Sequence, residues 1–417
     1  MWGVTRRRGL DKPLLVSAVI LLAMGLLTLY SAGQTDVPSA AGEIWKRQLV
    51  WLVIGTVAAG IAFRVSPRML EWVTPYVYWG SLFLLLLTLL VGTGAGTAAG
   101  AKSWLTLAGI RLGQPSEIAK ISTILMLARH LGSVREPPST LVQLMPAVSI
   151  VAAPFVLVGL QPDLGSALVF VGILFAMLFW MGVKNSLLLL LASPLLSLLL
   201  AFSTASWGAW IILLTVVLLW VRPYVLEGVL VWLGNVTMGV VALELWKTLA
   251  PYQQNRLLSF LNPEIDPRAT GWNIIQSKVA IGSGGILGKG FTAGTQKRLA
   301  FLPEQHTDFI FSVFGEEFGF LGVVVVLVLF AIVLAILIRI ARNAVDGYSS
   351  LAVAGLCGML LTHIIVNIAM TVGLMPIVGI PLPLFSYGGS FLLTCCICIG
   401  LALRVAWESH LSGYAAV

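Results

Sequence analysis

Charge is what this sequence has least of: 10% of its residues are Asp, Glu, Lys or Arg, against 59% hydrophobic, with a mean hydropathy of +0.98. A soluble domain carries about 25% charge, so a soluble enzyme is excluded and an integral membrane protein implied. Cysteine is scarce too. Cys357, Cys395, Cys396 and Cys398 all lie within apolar runs, with no Cys/His metal spacing. An extracellular disulfide framework is therefore excluded, and the four read as small packing residues. No Walker motif is present, which argues against ATP-driven transport by this chain alone. The apolar runs also lack the two-residue alternation of barrel strands.

What remains is helical. A spanning helix needs roughly 20 apolar residues, and twelve candidate spans stand out, some of them short. They are Pro13–Ala32, Gln48–Phe63, Tyr76–Gly92, Glu117–Leu131, Leu144–Leu160, Ser166–Met181, Asn185–Ser203, Trp207–Val221, Leu226–Trp246, Phe309–Ile338, Ser350–Val372 and Phe385–Leu403. The expected fold is an all-α polytopic membrane protein: one integral membrane domain over residues 1–417, with residues 250–308 as a large loop. The three runs between Asn185 and Trp246 contain few ionisable groups and read as peripheral, lipid-facing helices.

Basic residues flanking short loops set the orientation. Arg6, Arg7, Arg8 and Lys12 place the N-terminus in the cytoplasm, and Arg64, Arg129, Lys184, Arg222, Arg339 and Arg404 then all fall on the same side. The C-terminus is cytoplasmic as well, and the large loop faces out. The first span resembles a signal peptide in its basic start, but its apolar run is long, and removing it would break the charge alternation. The net charge of +8 sits at membrane edges, where anionic membrane lipids rather than nucleic acid are the expected partners.

A long loop on such a protein usually carries function. From Tyr252 to Asp308 the chain holds Arg256, Glu264, Asp266, Arg268, Lys278, Lys289, Lys297, Arg298, Glu304 and Asp308. Gly271–Gly290 reads as a short amphipathic helix able to lie on the bilayer, with Lys278 on its polar side, then a glycine turn that could cradle phosphate or be simply a turn. Glu304, His306, Thr307 and Asp308 follow at the start of the tenth span. A carboxylate there is either a helix cap or a general base at the water–lipid boundary. Glu316 and Glu317 lie below it as buried partners or a cavity floor.

Ionisable groups inside spans are functional candidates by default. Ser116 is the expected N-cap of the fourth span, with Glu117 and Lys120 positioned to pair on one helical face. Asp163, in Gln161-Pro162-Asp163-Leu164-Gly165, could cap the next helix, meet a cation or contact the large loop. His363 and Asn367 are four apart and suit interhelical hydrogen bonding. The segment Met375–Ser390 holds three prolines and three glycines. It reads as a rigid non-helical stretch packed in protein, whose Ser386 and Gly389 could donate to an anionic head group.

These motifs resemble a known family, the SEDS proteins of shape, elongation, division and sporulation, which are the RodA and FtsW peptidoglycan glycosyltransferases. The resemblance rests on Gln114–Lys120, Gln161–Gly165, Tyr252–Arg256, Gly271–Gly290, Gly294–Gln296, Leu302–Phe311, Glu316–Gly319 and Val378–Ser390. Asn273–Lys278 and Gly294–Gln296 look like the elongation-type RodA branch. The family usually has ten spans, so two are extra here, between residues 185 and 246. Lys102-Ser103-Trp104 also departs from the family's Arg before the Trp.

The resemblance implies polymerisation of lipid II, an undecaprenyl-pyrophosphate disaccharide pentapeptide, on the outer face of the bacterial cytoplasmic membrane, with Asp308 as the base. Arg256, Lys278, Glu304, His306, Thr307, Ser386 and Gly389 become candidate substrate-binding residues, and Glu117 and Lys120 match a family ion pair near the cavity. A divalent cation, Mg or Mn, is a further candidate for neutralising pyrophosphate. The implied partners are a class B penicillin-binding protein transpeptidase and the elongation machinery. Two other classes stay open on the residues alone: a lipid II flippase or solute carrier using Glu117, Lys120, Glu316 and His363 as its path, and a scaffold for the transpeptidase.

Overall fold

A helix forms wherever the apolar runs are long enough to satisfy their own backbone groups inside a membrane, and a helix stands at each of the twelve. The computed structural model describes residues 10–35, 40–94, 103–107, 110–201, 203–221, 224–248, 254, 270–298 and 304–415. The helices are α1 Lys12–Ala32, α2 Ile44–Arg64, α3 Pro67–Val91, α4 Pro115–Ser133, α5 Leu141–Leu160, α6 Leu164–Met181, α7 Asn185–Leu200, α8 Thr204–Val221 and α9 Val225–Thr248. After them come α10 Thr270–Ser283, the single turn α11 Thr295–Arg298, then α12 Ile310–Arg342, α13 Gly347–Thr371 and α14 Gly389–Ala415. Among the described residues, nine of these are long and apolar enough to cross a membrane; α7 and α8 are apolar but shorter.

Helix α4 does not meet that measure, and its position explains why. It runs through the interior against α3, α5, α6 and α13, and thirteen of its residues are buried. A helix shielded from lipid by protein can carry Glu and Lys; one facing lipid cannot. Together α4 and α13 form the centre, with α1, α2, α3, α5, α6, α12 and α14 around them. Helix α4 begins two residues earlier than the capping motif suggested. Gln114 is its N-cap, Pro115 occupies the first helical position, and Ser116 lies inside the helix, where a proline without an N–H fits best.

The three helices α7, α8 and α9 pack mainly on one another around Leu190, Leu214 and Val231. Asn235 ties them together: its amide donates to Ser193 Oγ at 2.8 Å and its Oδ1 accepts from Trp210 Nε1 at 3.0 Å. Glu227 of α9 anchors the group to the main bundle by accepting from the Leu141 amide at 2.9 Å. A feature the sequence did not announce is a short antiparallel hairpin between α3 and α4, β1 Leu105–Leu107 with β2 Ile110–Gly113. Lys102, just before it, lies outside the described residues.

Candidate active site

Asp308 sits in the turn that enters α12, partly exposed, one residue before the N-cap Phe309. The N-cap makes no side-chain capping bond. The turn is organised by Glu304, whose carbonyl accepts from the Thr307 amide at 3.1 Å, while Thr307 Oγ1 donates to that same carbonyl at 3.2 Å. Glu304 Oε2 is 3.7 Å from His306 Nε2. Burial pushes the His306 imidazole below its ordinary range, and the Glu304 carboxylate raises it only in part. Burial thus works against a fixed positive charge on His306.

The segment 372–388 supplies the other side of the site. It is not helical over most of its length, and its backbone groups are held by side chains from neighbouring elements. Ser386 Oγ donates to the Thr307 carbonyl at 2.6 Å and accepts from the Leu382 amide at 2.9 Å. The Tyr387 amide donates to the His306 carbonyl at 2.9 Å, and Gln48 of α2 donates to the Ser386 carbonyl at 3.1 Å. Ser386 is thus a bracket joining the two loops. Gly389 lies under the Trp51 ring, where a Cβ would collide with the indole. Asp308 packs over Gly379, whose φ is +72° and where a Cβ would stand 3.2 Å from Oδ2. That left-handed backbone and the carboxylate above it both call for glycine.

Lys278 comes to the same segment from α10. This helix buries Ile274, Ala280 and Ser277, and Ile274 and Ala280 pack with Phe309, Met370 and Ile377. Ser277 Oγ donates to the Thr371 carbonyl at 2.6 Å. The side that bears Ile274, Ser277 and Ala280 is therefore docked on protein, while Val279 remains exposed. Lys278 remains exposed, its ammonium passing over Gly373. Asp308 and Lys278 thus flank the two ends of one short stretch, Gly373 to Gly379. Arg256, the other loop cation expected near the substrate, lies outside the described residues.

Beneath the site runs a column of buried polar groups. Lys120 Nζ donates to Glu117 Oε1 at 2.7 Å and lies 3.1 Å from His363 Nε2. His363 Nδ1 is 3.1 Å from the Pro381 carbonyl, and Asn367 donates to the carbonyls of Asp308 at 3.0 Å and Ile380 at 2.8 Å. Asp163 is the N-cap of α6, accepting from the Ser166 amide at 3.0 Å, and its other oxygen takes a 2.7 Å bond from Gln114. It thereby ties the start of α4 to that of α6. Gly165 lies directly against the 372–388 segment, where a Cβ would be 2.5 Å from the Val378 carbonyl.

The glycine-rich stretch after α10 has a role that periodicity does not reveal. Helix α12 is broken at Gly319, where φ is +63° and ψ is −165°. The carbonyls of Glu316 and Glu317 are released there, and accept from the Lys289 and Gly290 amides at 3.0 Å each. In exchange, the Phe320 and Leu321 amides donate to the Gly285 and Ile286 carbonyls at 2.9 and 3.1 Å. The 285–290 turn thus replaces the missing rung of the helix. Its exchanged groups are occupied within the protein instead of cradling an anion. Glu316 accepts from Lys289 Nζ and the Thr295 amide at 2.8 Å each, and Glu317 pairs with Lys297. Of the two readings of these carboxylates, buried partners is the correct one. Among the described residues, no group of three or more His, Cys, Asp or Glu side chains is placed to hold a metal ion.

Comparison with known proteins fits this geometry. The model of the FtsW, RodA and SpoVE family, described as cell cycle proteins, matches residues 12–213 and 204–411. Its two segments meet within α8. The chain is 35% identical to the peptidoglycan glycosyltransferase RodA of Treponema pallidum over 95% of its own length and 97% of that protein's. It is 34% identical to the peptidoglycan glycosyltransferase MrdB of Escherichia coli K12, covering 95% and 93%. A probable peptidoglycan glycosyltransferase FtsW of Trichlorobacter lovleyi is 33% identical over 95% and 93%. Among solved structures, a chain of a peptidoglycan synthase complex, described as coordinating polymerization and crosslinking, superposes with a TM-score of 0.71 at 28% identity, covering 98% and 99%. The rod shape determining protein RodA of Thermus thermophilus gives 0.62 at 27%, covering 95% and 97%.

Proposed function

The chain belongs to the family of cell cycle proteins that comprises FtsW, RodA and SpoVE, and on that premise we propose how its site works as a peptidoglycan glycosyltransferase of the elongation type. The substrate is lipid II, bound from the outer face of the cytoplasmic membrane, with both termini in the cytoplasm. Asp308 takes the proton from the acceptor 4-hydroxyl as that oxygen attacks the anomeric carbon of the donor sugar. The bond from that carbon to the pyrophosphate oxygen breaks, and undecaprenyl pyrophosphate leaves. The donor is α-linked and the product β-linked, so one inversion suffices and no second carboxylate acts as nucleophile.

One observation carries this reading: Asp308 and Lys278 flank the Gly373–Gly379 stretch, a base at one end and an exposed cation at the other. Of the loop lysines, Lys289 and Lys297 are tied to Glu316 and Glu317. Lys278, exposed beside this stretch, is the cation assigned to steady the anionic leaving group, with Arg256 as a second candidate from the sequence. No trio of ligands offers itself among the described residues, so no step is routed through a divalent cation. Glu304, His306, Thr307, Ser386 and Gly389 serve the site by shaping it. A class B penicillin-binding protein that cross-links the glycan is the proposed partner, within the elongation machinery.

The rival reading, a flippase, has the buried Glu117–Lys120–His363 cluster in its favour. Vesicles containing labelled lipid II and the chain with its transpeptidase partner separate the two. Glycan chains in the vesicles support the polymerase. Transbilayer movement of lipid II without any glycan product would replace it by the flippase.

A further inference from the structure

His363 and Asn367 lie one turn apart on α13, and less than 2% of either is exposed. Each ends on the 372–388 segment. Asn367 Nδ2 bridges two carbonyls, those of Asp308 and Ile380, at 3.0 and 2.8 Å. His363 takes the next carbonyl along, Pro381, at 3.1 Å from Nδ1. A carbonyl can only accept, so Nδ1 carries the proton. Lys120 Nζ, 3.1 Å from Nε2, is an ammonium that can only donate, so Nε2 is the acceptor. One neutral tautomer satisfies both contacts. Phe391 stacks on the ring, with centroids 4.4 Å apart, and keeps it from turning.

These bonds hold the backbone that Asp308 rests on. Gly379, the residue before Ile380, lies under the Asp308 carboxylate, and the Asp308 carbonyl is tied to the same amide as Ile380. We infer that Asn367 and His363 are positioning residues for Asp308, fixing from within the membrane the height of the carboxylate above the Gly379 backbone. Neither touches the substrate. The inference rests on Asp308 being the base proposed above.

Three variants test it. Asn367→Leu removes the bridge at similar volume. His363→Asn keeps a donor where Nδ1 stood and gives up the Lys120 contact. His363→Gln keeps an acceptor near Nε2 and gives up the Pro381 bond. Kinetics of glycan synthesis are measured with the partner present, alongside amide exchange of the same purified proteins over residues 304–310 and 376–388. A displacement of about 1 Å in a catalytic group can cost about 100-fold in rate. The expected result is therefore a fall in kcat of about 10- to 100-fold in Asn367→Leu and His363→Gln, with KM within about two-fold. His363→Asn should stay within about three-fold of the parent. Exchange should rise in both segments together and nowhere else in the slow two. Equal loss in the two His363 variants, loss in KM alone, or unchanged exchange would each overturn the inference. Wild type that yields no glycan would count against the polymerase reading alone, since the exchange data still decide whether the two residues hold the segment.

Discussion

Lys297 and Glu317 form an ion pair with both side chains wholly removed from solvent, and Ser31 of α1 joins it through a 2.5 Å bond to Glu317 Oε1. Lys297 also donates to the Ser31 carbonyl at 2.9 Å. The large loop is thereby locked to α1 at the level where α12 is broken. Lys297→Met leaves a buried carboxylate uncompensated and should cost about 3–5 kcal/mol. The double variant Lys297→Met/Glu317→Leu should recover most of that. Thermal unfolding in detergent checks both; a double variant no better than the single would remove the pair from the account.

Gly319 is the second structural test. An alanine there must adopt a φ of +63°, and its Cβ would collide with the Gly288 amide and the Ile286 carbonyl. Left-handed strain alone costs about 1–3 kcal/mol, and the exchanged hydrogen bonds between α12 and the 285–290 turn would be lost with it. Gly319→Ala should lower the unfolding midpoint and weaken glycan synthesis together. Gly80, with open space around it, should accept alanine without either effect.

His306 gives a pH dependence with a defined sign. Its folded pKa is lowered by burial, so below about pH 6.5, the usual imidazole value, the unfolded chain takes up a proton that the folded chain refuses. Stability is full above that pH and falls as pH drops toward the lower folded value, by at most about 1.4 kcal/mol per pH unit. His306→Gln should flatten this limb of the curve. An unchanged slope in that variant would place the acid sensitivity elsewhere.

Asn235 tests the satellite helices. Asn235→Leu leaves Trp210 Nε1 without its acceptor and takes one donor from Ser193 Oγ, which still donates to the Leu190 carbonyl, a loss of about 1–3 kcal/mol. Because α7–α9 pack mainly on one another, the variant should loosen those three helices while glycan synthesis persists. Amide exchange by segment reads the first effect and a polymerisation assay the second.

The membrane helices were legible because hydrocarbon demands long apolar runs, and no other signal competes with that. The kink was not, because Gly319 sits inside Phe309–Ile338, which reads as one long span. Only the pairing of Glu316-Glu317 with the glycines at 284, 285, 288 and 290 could have hinted at it. Asp308 stood out as a carboxylate at a span boundary, and the structure adds Gly379 beneath it. Ser386 and Gly389 read as anion donors from composition, whereas their places in the fold are a bracket and a contact for Trp51. Residue type shows which groups can donate a hydrogen bond; only the fold shows which are already engaged. His363 and Asn367 were recognised as hydrogen-bonding partners. That they face the backbone beneath Asp308 depends on tertiary contacts that spacing does not encode.

The most direct test of the central claim is lipid II polymerisation by the purified chain with the penicillin-binding protein proposed as its partner, wild type against Asp308→Asn. The amide keeps the side chain's shape but cannot accept the hydroxyl proton. Glycan chains from wild type and none from a folded, partner-bound Asp308→Asn protein are the predicted result. Equal product from both would contradict the account, because the base would then lie elsewhere.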